Sequence, residues 1–359
     1  MKIIIIIISF FCIFALRAYE VLVLGDLHYD SLDVRSDADK LRPGLKRELE
    51  RNLERWQSSI PSMLEAAGKI ATEQNVVFAV QLGDFIQGDC GSRKLQEKAF
   101  CDALGEVRKR LPLSIPFYPL KGNHDIRGKG AEEAYRNIMI PYLDATLIKD
   151  NAVSKSGNYA FVHDKDLFIL FDSIRPDISF LENTLNLHPN TRYVFFLTHI
   201  PVLPCLQYQP AEVVFWYFGD KPQERKKLLS LLSSRNAIVL SAHIHKRVFC
   251  RYVSPEGIIT QLSSYSMPGS KKNDDYHELT NLTFKEYFDR DAHGRKELQN
   301  KKIKSVMSDY EGKISLYTEF HPAEGFCILK IDDNEVKADL HFGASENPVT
   351  KTITLFSKK

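Results

Sequence analysis

Five short apolar runs in this chain each stop at a cluster of carboxylate, amide or imidazole side chains, a pattern few folds accommodate. Residues 19–24 are followed by Asp26-Leu27-His28, residues 76–82 by Gly83-Asp84, and residues 115–120 by Gly122-Asn123-His124-Asp125. Residues 193–197 lead into Thr198-His199, and residues 237–240 into Ala242-His243 and His245. Continuous apolar, β-rich runs of this length belong to strands buried on both faces, as in parallel sheets. Ligands bind open α/β sheets at the carboxyl ends of their strands, and every polar cluster here falls at such an end.

Helices fill the intervals. Leu41, Leu45, Leu49 and Leu53 recur every fourth residue within a charged stretch, which predicts an amphipathic helix that Pro61 then kinks or restarts. Further helices are expected over 95–110, 132–140 and 223–233, and paired strands over 158–162 with 167–171, 248–253 with 257–263, and 326–331 with 336–342. Two sheets packed face to face with helices outside accommodate all of these, so the fold class is α/β. Residues 271–313 carry the least pattern and read as a partly helical insertion, since strands of the same character resume beyond them.

Of the 359 residues, 44% are apolar and 26% charged, an ordinary globular balance. With 48 Lys and Arg against 46 Asp and Glu, nothing electrostatic calls for a nucleic-acid partner. Lys2, an apolar run over 3–16 and Arg17-Ala18 resemble a secretory signal peptide cleaved after Ala18. The run is shorter than the ~20 residues of a membrane helix. Leu16 departs from the small residue such a cleavage site prefers, which leaves an uncleaved membrane anchor as the alternative. The expectation is a secreted or periplasmic domain over 19–359, formally neutral once Lys2 and Arg17 are removed, with insertions at about 30–60 and at 271–313. In such a compartment Cys90 with Cys101 and Cys205 with Cys250 are the candidate disulfides, with Cys327 left over; five small buried thiols are the alternative.

A lone Asp-x-His or His-x-His is commonly a polar loop; the ordered series is what carries information. It resembles the calcineurin-like metallophosphoesterases, binuclear-metal hydrolases of phosphate esters, with motifs spanning residues 26–245. The resemblance implies a four-layer α/β/β/α sandwich. It also implies that Asp26, His28, Asp84 and His245 hold one divalent ion, while Asn123, His199, His243 and the other oxygen of Asp84 hold a second. A carboxylate can bridge cations about 3.5–4 Å apart, and such a pair generates hydroxide from bound water near neutral pH. His243 and His245 would point the same way on extended backbone and reach neighbouring ions. His124 is the expected proton donor to the leaving oxygen, with Asp125 able to orient its ring.

Departures from the family pattern sharpen the expectation. Gln87 stands where purple acid phosphatases carry a tyrosine ligand, and His28 where they carry glycine, which favours Mn, Zn or Fe(II)-type ions over a tyrosinate-iron site. Ala242 replaces a common glycine and is small enough to leave the site open. Arg127 and Arg175 are candidate phosphate clamps, with solvated arginine as the alternative. The charged helix before Asp84 is a candidate roof for the cleft. Tyr208 and the aromatic run Phe215 to Phe218 either face substrate or belong to the core. The expected function is hydrolysis of a small phosphate mono- or diester by in-line attack of metal-bound hydroxide. A catalytically idle binding scaffold is the alternative. The substrate and the oligomeric state stay open, because specificity resides in loops.

Overall fold

The computed structural model describes residues 18–36, 43–147, 157–267, 275–345 and 347–358. The leader expected over 1–18 therefore lies almost wholly outside the described residues, as does Leu41. No described helix is long and apolar enough to cross a membrane.

Numbered in chain order, the strands are β1 (Tyr19–Leu24), β2 (Phe78–Gln81), β3 (Phe117–Pro119), β4 (Tyr159–His163), β5 (Asp166–Phe171), β6 (Val194–Thr198), β7 (Ile238–Ser241), β8 (Arg247–Ser254), β9 (Gly257–Ser263), β10 (His277–Leu282), β11 (Ile314–His321), β12 (Gly325–Ile331), β13 (Glu335–Phe342) and β14 (Val349–Ser357). The helices are α1 (Pro43–Gln57), α2 (Ser59–Glu73), α3 (Arg93–Arg108), α4 (Ala131–Thr146), α5 (Ile178–Leu187), α6 (Glu212–Trp216), α7 (Pro222–Ser233), α8 (Phe284–Asp289), α9 (Ala292–Glu297) and α10 (Lys301–Met307). One sheet runs β14-β13-β12-β1-β2-β3 and the other β10-β11-β8-β9-β7-β6-β5-β4. Strands β1, β2 and β3 are mutually parallel in the first; β5, β6, β7 and β9 are parallel in the second.

Alternation along the strands produces the layers. Val21 and Val23 of β1 pack between the sheets with Val80, Phe168, Phe195, Leu240 and Leu329. Leu22 and Leu24 face the other way, into a core shared with Ile60 and Met63 of α2, Phe100 of α3 and Met139 of α4. In the second sheet Ile169, Phe196 and Val239 pack outward against Leu181 of α5 and Leu228 of α7. Each central strand serves two cores, which is why its sequence is apolar without a gap. The result is the expected α/β/β/α sandwich.

Several elements depart from expectation. The leucine stripe of α1 is only part of its buried face: Leu49 is buried and Leu45 and Leu53 half-buried, and the face is completed by Asn52 and Trp56, which hydrogen-bond loops beneath them, to Gln87 Oε1 (2.8 Å) and the Leu27 carbonyl (2.9 Å). Strands β11 and β14 and helix α5 were not expected, and the insertion over 271–313 contributes β10 as an edge strand beside β11. The five described cysteines are all free. Cys205 and Cys250 both contact the Gln261 amide (3.6 and 3.8 Å), which satisfies them as buried thiols; Cys101 is exposed while Cys90 is buried.

At the edge of the sandwich where β1 begins, a buried ion pair ties the sheets. Asp166 of β5 accepts hydrogen bonds from the Tyr19 hydroxyl of β1 (2.6 Å), Arg192 Nε (2.9 Å) and the Tyr193 backbone N–H (3.1 Å). Removing one partner of a buried pair leaves the other charge unsatisfied, at a cost of about 3–5 kcal/mol. Asp166→Ala is expected to lose stability of that order in urea denaturation; a loss of less than about 1 kcal/mol, the surface-pair value, would contradict the clamp.

Candidate metal centre

The loops after β1, β2 and β3 from one sheet, and after β6 and β7 from the other, meet at one edge. They are laced together by backbone bonds: the Leu27 and His28 N–H groups both donate to the Asp84 carbonyl (3.1 and 2.9 Å), and Ala242 N–H donates to the His199 carbonyl (2.9 Å). His28, Asp84, His243 and His245 all adopt left-handed backbone, with φ of 42°, 54°, 67° and 51°. For non-glycine residues this costs on the order of 1–3 kcal/mol each and clusters at functional sites. The extended geometry expected for His243 and His245 is therefore not present, and their rings serve different groups of ligands. Gly83 (φ 93°) is obligatory: a Cβ there would lie 2.7 Å from His199 Nδ1.

Three overlapping groups of side chains bring ligand atoms within 4.8 Å of one another: Asp26, His28 and His245; His28, Asp84 and His124; and Asp84, His199 and His243. Asn123 completes the last, its Oδ1 lying 2.9 Å from His199 Nε2 and 3.0 Å from His243 Nδ1. All seven side chains expected as ligands therefore converge. Asp84 Oδ2 stands 3.3 Å from His199 Nε2 and 3.7 Å from His28 Nε2. Its Oδ1 accepts the His124 backbone N–H (2.8 Å), so a single oxygen faces both halves of the site, where one oxygen for each ion was expected.

The donor set fits cations. Burial drives the His28 imidazole well below its ordinary pKa and takes His245 down to about 3, so both rings are neutral with their Nε2 atoms 3.2 Å apart. Burial raises Asp26, whose Oδ2 has no hydrogen-bond partner. Burial also opposes ionisation of Asp84, but the His199, His124 and His28 rings outweigh it and hold the carboxyl well below its usual range. His199 reflects the same field. Burial pushes it down, yet Asp84 and Asp26 prevail and lift it to about 9. Neutral imidazole nitrogens and carboxylate oxygens converging in a buried acidic field are the setting in which a divalent ion binds, displacing the proton on His199.

Outer contacts choose which nitrogen each ring presents. The Leu82 carbonyl can only accept, so His199 donates Nδ1–H to it (2.9 Å) and turns Nε2 inward. His243 directs Nε2 at the Glu212 carboxylate (3.2 Å) and keeps Nδ1 for the site. Such carboxylate and carbonyl partners fix the tautomer and orientation of ligating histidines. His245 stacks on Tyr265 (centroids 4.5 Å apart), whose hydroxyl accepts from Arg55 of α1 (2.9 Å).

His124 and Asp125 divide their tasks differently from the expectation. The His124 ring donates Nδ1–H to the Gln87 carbonyl (2.9 Å), while Arg127 Nη1 donates to its Nε2 (3.1 Å). Asp125 does not orient that ring. Its two oxygens accept the Ile86 and Gly122 backbone N–H groups (3.0 and 2.7 Å), bracing the β2 and β3 loops against each other. Arg127 is likewise not a solvated arginine: its Nε lies 2.6 Å from Asp89, and its guanidinium reaches toward Glu48 of α1 (3.6 Å). Arg175 is exposed and paired with Glu132. Gln87 bonds Glu48 and Asn52, so the charged helix does cover the cleft. Glu212 had no motif to announce it; its only signal was its place in the aromatic run after His199.

The chain belongs to the calcineurin-like phosphoesterase family, whose pattern it matches over residues 19–247. Solved structures share the fold. A dimetal phosphatase from Danio rerio is 12% identical, with 94% of this chain and 99% of that one covered and a TM-score of 0.51. A purple acid phosphatase from yellow lupin is also 12% identical with a TM-score of 0.51, over 94% of this chain and 53% of that one. The protein named GAP50, the anchor in the inner membrane complex of Plasmodium, is 14% identical with a TM-score of 0.50, over 95% and 90%. No curated protein sequence matches significantly.

Because a cation must displace the proton that Asp84 and Asp26 hold on His199, affinity for Mn is expected to rise with pH until about 9, with proton release at neutral pH. Calorimetric titration in two buffers of different ionisation enthalpy checks this; heats independent of buffer would contradict it. Glu212→Ala is expected to weaken metal binding about 10–100-fold, measured by chelator competition, and an unchanged affinity would remove Glu212 from the site.

Proposed function

We propose that the protein hydrolyses a phosphate mono- or diester with two divalent ions, of Mn, Zn or Fe(II) type, at this centre. The observation that carries the reading is Asp84 Oδ2, which faces His28 on one side and His199 on the other. Asp26, His28, His245 and Asp84 would hold one ion, and Asp84, Asn123, His199 and His243 the other. Divalent ions so held supply Lewis-acid charge to phosphoryl oxygens and acidify water.

The remaining roles belong to the chain. Asn123 contributes a neutral oxygen, which limits the negative charge an incoming phosphate meets. His124 is the proton donor to the departing oxygen: with Nδ1 fixed on the Gln87 carbonyl, the proton given would be one carried at Nε2, taken up there in exchange for the Arg127 contact. Burial and then Arg127 hold its pKa below the ordinary value despite Asp84, which makes its protonated form a stronger acid. Arg127, touching Nε2, places a cation on the side where a leaving group departs.

The likeness to a protein named as an anchor favours a second reading, a scaffold without turnover. Convergence of every candidate ligand, and of an acid beside them, supports the enzyme. The leader over 1–18 supports export, to the periplasm or outside the cell.

His124→Ala is expected to lose at least ~100-fold in turnover of an aryl phosphate while retaining metal. Asp84→Ala is expected to lose metal itself. Metal analysis beside a mono- and diester assay separates the two effects, and full activity with normal stoichiometry in Asp84→Ala would refute the assignment.

A further inference from the structure

The aromatic run after His199 divides in space. Tyr217 is wholly buried, its hydroxyl bonded to Thr198 and to the Ile200 carbonyl. Phe215 lies under the Lys302 ammonium, 5.4 Å from its ring. Trp216 does neither. Its ring meets His243 at a centroid distance of 6.1 Å and an interplanar angle of 77°, and 37% of the residue stays exposed. Its Nε1–H reaches Glu212 Oε1 (3.5 Å), the same oxygen that receives His243 Nε2 (3.2 Å). Tyr208, 46% exposed, stands near enough to feel the Glu212 charge.

An indole tethered at its polar edge and 37% exposed is an oriented apolar side chain beside a phosphoesterase centre. The core explains Tyr217 and the lysine explains Phe215, but no packing explains why Trp216 stands at His243. A planar ring laid on it would bury apolar area on both partners and gain the stacking preference of aromatic pairs. Apart from Glu212, the charged side chains of the cleft, Glu48, Arg127 and Arg55, meet the site elsewhere, at His124 and at the Tyr265 that stacks on His245.

We propose that Trp216 is a stacking subsite that selects phosphate esters carrying a planar aromatic group. This rests on the phosphoesterase reading above and names its substrate class. Glu212 orients both partners of the subsite, His243 toward the centre and the indole toward the cleft.

The test uses non-hydrolysable probes on the manganese-loaded protein. By calorimetry, phenylphosphonate is expected to bind about tenfold more tightly than methylphosphonate, within the range of aromatic stacking. Phenylphosphonate should also quench Trp216 emission, with buried Trp56, the other of the chain's 2 tryptophans, as internal reference. Trp216→Ala should bring the ratio of affinities close to one, and Trp216→Phe, which keeps a ring, should restore most of it. A nucleoside 5′-phosphonate separates the sources of the ring: binding tighter than phenylphosphonate places a nucleobase on the indole, weaker binding an aryl group. Equal affinities in the wild type, or a preference that survives Trp216→Ala, would overturn the subsite and leave the phosphoesterase intact. Failure of both simple phosphonates to bind would overturn the two together.

Discussion

Asp84 answers two demands with two different oxygens, and the rest of the centre is arranged around that division. Oδ1 is spent on the His124 backbone N–H, which docks the β3 loop onto the β2 loop. Oδ2 is left facing imidazoles delivered by opposite sheets, His28 from the loop after β1 and His199 from the loop after β6. A carboxylate buried to this degree carries a desolvation penalty of several kcal/mol, which only nearby positive charge can offset. Asp26 adds a second buried carboxyl to the same field. The protein has gathered two buried carboxyls, one with an unpartnered oxygen, among imidazoles, and that defines a cation site more firmly than any single ligand does.

Holding so many acceptors together requires a frame that does not relax. The two halves of the centre come from different sheets, so their separation depends on the packing between the sheets. Val21, Val80, Phe168 and Leu240 fill that layer, and the Asp166 pair closes it where β1 begins. At the site itself the strain is local. Four candidate ligands sit in left-handed backbone, a conformation that returns the chain sharply after each strand and turns the side chain back over the sheet edge. Asp125 supports this by tying Ile86 and Gly122, one residue from each flanking loop. It does not touch the His124 ring, yet without it two buried N–H groups would lose their acceptors.

Legibility in the sequence followed the range of the interaction. β1, β2, β3, β6 and β7 could be read because burial on both faces makes a strand continuously apolar, and a polar ligand ends the run. The converging ligands could be read because each lies directly after such a strand. β14 was missed because Thr350-Lys351-Thr352 and Thr354 break up its apolar residues on a partly exposed edge, a weak signal beside the central strands. The leucine spacing of α1 located its inner face but not the polar part of it, because Asn52 and Trp56 are buried there by hydrogen bonds to distant loops. Gln87 with Glu48, His243 with Glu212, and Arg127 with His124 pair side chains across a folded surface, and no local period announces such pairs. Asp125 misled for a related reason: adjacency to His124 suggested a partnership that the tight turn forbids.

The walls of the cleft come from two segments that lie outside the motifs. Helix α1 brings Glu48, Asn52 and Arg55; helix α6 brings Glu212 and Trp216. Neither segment supplies a candidate ligand, but each bears on a histidine of the site. α1 reaches His124 through Gln87, whose side chain it holds and whose carbonyl fixes the ring; α6 reaches His243 through Glu212. Under the proposed stacking subsite, the residues that select what is attached to the phosphorus would therefore also orient His124 and His243. In a fold whose chemistry is otherwise set by strand ends, this coupling limits how freely specificity can vary: a wall replaced for a new substrate must still present a carbonyl to His124 and a carboxylate to His243.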